Sequence, residues 1–84
     1  MADRYASLAP SGNLAYRHWQ IVPSDSMDMV RRPLAIYCQA TGTIVVRDED
    51  GVTLPYAMTA GQILPFRGAR ILATGTSGTF YGWD

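Results

Sequence analysis

The 84-residue length fits one domain and leaves no room for two. Seven arginines and no lysine balance seven acids, and a net charge of zero speaks against broad binding to nucleic-acid phosphates. Cys38 and His18 are the only residues of their kinds, which excludes an intrachain disulfide and a four-ligand Cys/His zinc site.

Residues 1–14 have no clear period; Tyr5 and Leu8 are isolated apolar points among Ala, Ser, Pro10, Gly12 and Asn13. They read as an arm that orders on a partner, with the domain proper at 15–84. From Tyr16 to Val22 the chain alternates as a strand, with Tyr16, His18, Gln20 and Val22 on one side and Arg17, Trp19 and Ile21 on the other. Pro23 ends it. Residues 23–29 form a loop rich in Ser and Asp, with one helical turn expected after Ser24 and Asp25 expected as a turn or cap residue.

The next strand, 34–39, places Leu34, Ile36 and Cys38 on one face. Thr41-Gly42 turns the chain into a strand at 43–47. Asp48-Glu49-Asp50-Gly51 is a hairpin tip between two apolar runs. The strand after it, 52–58, contains Pro55, which has no amide to donate, so it belongs at a sheet edge or a bulge. Short strands follow at 62–67, 70–74 and 79–83, separated by Gly61 and by the Gly75-Thr76-Ser77-Gly78 loop. Seven short strands with regular turn signals predict an all-β fold, a small β-sandwich or jelly-roll-like barrel. A chain this short buries only about 60–65% of the surface its unfolded form exposes, so the thin core would profit from self-association.

Catalytic chemistry is sparse. A Cys38–His18 dyad would need an orienting third group, and Cys38 reads better as a small buried residue. The Asp25/Asp28 and Asp48/Glu49/Asp50 clusters lack the ligand spacing of an EF-hand, and no phosphate-loop motif is present. The expectation is a protein that is not an enzyme, with no cofactor and no metal. No apolar run approaches a membrane span and no signal peptide is visible, so cytosolic synthesis is expected. Trp19 near the start and Phe80, Tyr81 and Trp83 near the end are the interaction candidates, with Tyr5 and Leu8 in the arm. Alternation puts Tyr81 and Trp83 opposite Phe80.

Three segments resemble a known family in order and spacing: Ile21-Val22-Pro23-Ser24-Asp25-Ser26-Met27-Asp28-Met29, then Ala60-Gly61-Gln62-Ile63-Leu64-Pro65-Phe66-Arg67, then Arg70-Ile71-Leu72-Ala73-Thr74-Gly75-Thr76-Ser77. Leu34-Ala35-Ile36-Tyr37-Cys38 fills an A-L-Y-V slot, and Asp3-Arg4-Tyr5-Ala6-Ser7 is similar to a D-x-F-A-S start. The family is the head-spike base protein of gene transfer agents and related tailed phages of alphaproteobacteria. Pro23, Ser24, Asp25 and Asp28 carry its loop. Val22 and Met29 depart from it mildly, and Phe80-Tyr81-Gly82-Trp83 is more aromatic than the aliphatic endings of relatives.

The resemblance implies a structural virion protein on the capsid exterior. It would form a ring with itself, a pentamer at five-fold vertices, and link the major capsid protein to a spike fibre that meets the host cell surface. It brings no catalytic residues, and neither nucleic acid nor membrane is among the implied partners. Two other readings stand beside it. One is an OB- or SH3-like module binding single-stranded nucleic acid or peptide, using Arg17, Trp19, Arg67 and Arg70. The other is a glycan-binding capsid decoration stacking sugars on Trp19, Tyr81 or Trp83.

Overall fold

Alternating β-branched and polar residues settle as strands where one face can be buried, and two sheets result. The computed structural model describes residues 15–84, and among these every regular element is a strand. In chain order they are β1 (His18–Gln20), β2 (Ala35–Ala40), β3 (Gly42–Arg47), β4 (Thr53–Met58), β5 (Ile63–Leu64), β6 (Arg70–Ile71) and β7 (Thr79–Trp83). One sheet has the order β1-β7-β2-β5, the other β4-β3-β6. All neighbouring strands are antiparallel.

The sheets close on each other as a sandwich. Ile36 and Cys38 of β2 and Phe80 of β7 point inward from the four-stranded sheet. Ile44 and Val46 of β3, Met58 of β4 and Ile71 of β6 meet them from the other. Ile36, Cys38 and Ile44 are fully buried. Met29, Tyr56, Leu64 and Phe66 seal the rim of this core.

The chain passes between sheets at Thr41, a single residue separating β2 from β3. Backbones crowd there: a Cβ on Gly42 would lie 2.2 Å from the Ser77 carbonyl oxygen. A Cβ on Gly78, at φ +88°, would lie 2.5 Å from the Ala40 carbonyl oxygen. Only glycine fits such an approach without moving the chain. The β3–β4 hairpin forms as expected. Asp48 Oδ1 accepts from the amides of Asp50 (2.8 Å) and Val52 (2.9 Å), and Gly51 takes the positive φ. Pro55 sits on β4, an edge strand of its sheet, where its missing amide leaves no ladder bond unmade.

Three expected strands are shorter than predicted. The 16–22 run keeps strand form only over His18–Gln20, though the Tyr16 and Arg17 amides still donate to the Asp84 carbonyl oxygen (2.7 and 2.8 Å). The 62–67 segment ends at Leu64, because Pro65 has no amide to extend pairing with β2. The 70–74 segment ends at Ile71. Beyond it the loop stays alongside β3, but side-chain hydroxyls replace part of the ladder. Thr76 Oγ1 accepts from the Val45 amide (3.0 Å) and Ser77 Oγ from the Thr43 amide (3.1 Å).

No helical turn follows Ser24. Its hydroxyl accepts from the Ser26 and Met27 amides, as at a helix start, but the chain is then drawn onto β6. The Ser24 amide donates to Ile71 and the Met29 amide to Ala69, so this loop covers the free side of β6.

Candidate functional site

Period-two alternation along β7 buries Phe80 and Gly82 and turns Thr79, Tyr81 and Trp83 to the other face. The same alternation on β2 sends Tyr37 outward between Ile36 and Cys38. The register sets Tyr37 opposite Tyr81, and Trp83 two pairs along on the same face, opposite Ala35. Trp83 and Tyr37 stack with ring centroids 5.3 Å apart and planes 9° from parallel. On the far side His18 of β1 meets Tyr81 edge-on at 6.3 Å. Ile63 of β5, paired with Tyr37, extends this face apolar and 41% exposed. The outer surface of the four-stranded sheet is therefore an aromatic platform held by cross-strand contacts.

Tyr81 and Trp83 lie on this platform as alternation predicts. Phe80, an interaction candidate on sequence grounds, is a correction: it is 2% exposed and belongs to the core. It supports the platform from beneath. Sequence reasoning did not single out Tyr37, His18 and Ile63 as contacts. The signal for Tyr37 was present in its alternation with Ile36 and Cys38; those for His18 and Ile63 depended on register. Tyr5 and Leu8 lie outside the described residues.

Trp19 points the other way. Its ring lies against Gly82, where a Cβ would approach it to 2.8 Å, and the Arg31 guanidinium sits over it at 5.1 Å. Arg31 also approaches Asp84 at 3.6 Å. Between this end of β1 and the loop after it runs a cleft of about 480 Å³, with Trp19, Ile21 and Met29 within and Val22, Met27 and Val30 among its lining.

The loop residues Ser24, Asp25 and Asp28 have structural work. Asp25 is not a local cap, as its sequence position predicted. Its Oδ1 accepts from the Thr74 amide (2.9 Å) and its Oδ2 from the Thr74 hydroxyl (2.7 Å), 49 residues away. Arg70 donates from Nε to Asp28 Oδ1 (2.9 Å) and from a terminal nitrogen to the Asp25 carbonyl oxygen (3.1 Å). Arg32 approaches the other Asp28 oxygen at 3.9 Å. Local hydroxyl bonding falls to Ser24 instead, and Pro23 is half-buried at the loop's entry. The amide and hydroxyl of Thr74 hold the Asp25 carboxyl below its ordinary range.

The remaining groups with chemical potential are not brought together. His18 is on the outer face of its sheet and Cys38 on the inner, where burial pushes its thiol up and its Sγ donates to the Ala40 carbonyl (3.3 Å). Arg70 is committed to the acidic loop rather than to a basic surface. Among the described residues no cluster of three metal-ligating side chains occurs.

No family model matches the chain, and no curated protein does. Among solved structures, a chain described as part of the capsid of a native GTA particle, computed with C5 symmetry, matches with a TM-score of 0.80. The two are 54% identical, and the match covers 83% of this chain and 83% of that one.

Proposed function

This chain belongs to the family of that capsid component of a gene transfer agent (GTA), and from that premise we propose that it is a structural virion protein, the base of a spike on the capsid vertex. The 54% identity over most of both chains carries the reading. The TM-score of 0.80 supports a shared fold as well.

In this proposal residues 15–84 are the body and 1–14 an arm. The bodies associate into a ring, a pentamer at a five-fold vertex, a number that agrees with the C5 symmetry used to compute the related capsid. The ring sits on the major capsid protein outside the shell and holds a spike fibre, through which it meets the host surface indirectly. The chain is made in the bacterial cytoplasm and ends in the virion. It does its work by binding, without catalysis, cofactor or metal.

The physical support is twofold. The platform of Tyr37, Tyr81 and Trp83 offers large, stiff side chains that bury much area at small entropic cost. The net charge of zero leaves short-range fit rather than long-range attraction to hold partners. Native mass spectrometry of the full chain tests the ring: the expected species is five times the 9.2 kDa chain mass. Electron microscopy of intact particles tests the place, with density expected at the vertices. A strictly monomeric chain that is absent from purified particles overturns the proposal.

A further inference from the structure

The cleft beside β1 is unlike the rest of the surface. Val22, Met27 and Val30 line it while 82%, 66% and 100% exposed, over a floor of Trp19, Ile21 and Met29. Single exposed apolar residues are ordinary, but three around one concave site mark an interaction surface. Among the described residues nothing covers these side chains, so their cover comes from a segment or molecule outside that body.

We propose that residues 1–14 of a neighbouring copy occupy this cleft, with Tyr5 and Leu8 as apolar anchors. The inference rests on the ring reading and names the contact that closes the ring.

Reach, charge and backbone favour this occupant. Fourteen residues, if fully extended, would span about 46–50 Å, more than the 38 Å long axis of the described residues, so the segment is long enough to reach past its own body. The cleft carries one cation and one anion, Arg31 and Asp28; both contact charges of their own body yet stay half exposed, and they match the signs of Asp3 and Arg4 in the arm. Among the described residues β1 is an edge strand with β7 as its ladder neighbour, so an extended segment beside Trp19 also finds a strand edge to pair with. The arm joins the body next to the cleft: Tyr16 and Arg17 bond Asp84, which Arg31 also contacts. An arm seated in the next copy's cleft is a head-to-tail contact, the kind that generates a closed ring when its rotation closes.

A disulfide trap tests this in the full chain. Ser7→Cys and Val30→Cys chains, carrying different tags, are co-expressed and oxidised mildly, with Thr53→Cys on β4 as the control partner. Val30 and Thr53 are exposed, so neither change disturbs the core, and Cys38 is buried away from exchange. The expected result is a mixed-tag disulfide between Ser7→Cys and Val30→Cys roughly tenfold above the Thr53→Cys control, as the high effective concentration of a seated arm predicts. If the wild-type ring forms but this pair stays at the control level, the seat is wrong and the ring stands. A monomeric wild type overturns both. A disulfide within single chains of the Ser7→Cys/Val30→Cys double variant, without the mixed-tag product, also overturns the inference, because the arm then fills its own cleft.

Discussion

The two sheets bury equivalent inner faces and present opposite outer ones. Inside, Ile36, Cys38 and Phe80 face Ile44, Val46 and Ile71, all at most 2% exposed. Outside, the four-stranded sheet carries His18, Tyr37, Tyr81, Trp83 and Ile63. The outer face of the three-stranded sheet pairs Thr43 with Ala57, Val45 with Pro55 and Arg47 with Thr53, and has no aromatic residue. A sandwich needs only its inner faces to fold. The asymmetry outside therefore concerns what the molecule touches. The edges differ in the same sense. β4 is an edge strand interrupted by Pro55, a feature that discourages strand addition, whereas β1 carries no proline and lines the apolar cleft.

The largest break in this comparison is expected from Trp83→Ala. It removes the stacked partner of Tyr37 and half-buried area on the platform, costing about 1–3 kcal/mol from pair and burial together. Urea unfolding measures that loss, and native mass spectrometry is expected to record loss of the assembled species as well. Thr53→Ala on the other outer face is expected to leave both unchanged. A smaller but cleaner effect comes from Ile63→Ser. Ile63 is already 41% exposed, so unfolding free energy should move by no more than about 0.5 kcal/mol. Assembly weakened without loss of stability would assign the platform to partner contact. Unchanged assembly would reduce the platform to packing alone.

Much of the fold was legible because its determinants are local. Pro55 placed β4 at an edge, Asp48 and Gly51 gave the hairpin, and alternation separated Phe80 from Tyr81 and Trp83. Strand ends at 62–67 and 70–74 were overestimated, since apolar content continued where backbone pairing stopped at Pro65 and at the hydroxyl-bonded loop. The platform was only half legible. Tyr37 joins it through the β2–β7 register, and no local pattern specifies which strands become neighbours. The cleft was less visible still, for Trp19, Met27 and Val30 meet through the path of an irregular loop. The family-like segments do two things: Asp25 reaches Thr74, Asp28 reaches Arg70, and Gln62 Oε1 accepts from the Thr59 amide at 2.7 Å. Their polar residues set the turns, while Val22, Met27 and Ile63 of the same segments stay exposed on the cleft and the platform.

The Asp25–Thr74 bridge gives the smallest expected effect and locates the scaffold's acid sensitivity. The carboxylate accepts from both the amide and the hydroxyl of Thr74, which holds its affinity for protons below the ordinary value of 3.8. A carboxyl whose folded pKa is depressed binds fewer protons in the native state than in the unfolded one. Its stabilising contribution is thus fully present above about pH 5 and is lost as pH falls through 3.8 toward the folded value. Asp25→Asn keeps an acceptor for one of the two Thr74 donors but cannot ionise. The variant is expected to be modestly less stable than the parent at pH 7 and to converge on it below pH 4, so thermal melts across pH 3–7 should show a shallower acid limb for the variant. Parallel acid limbs would mean that Asp25 does not govern the response. The Asp25 carboxyl is exposed, so the expected shift in melting temperature is small. It is nonetheless diagnostic, because Tyr37 and Trp83 stack on each other rather than on the Asp25–Thr74 bridge, so substituting them should leave the acid limb unchanged.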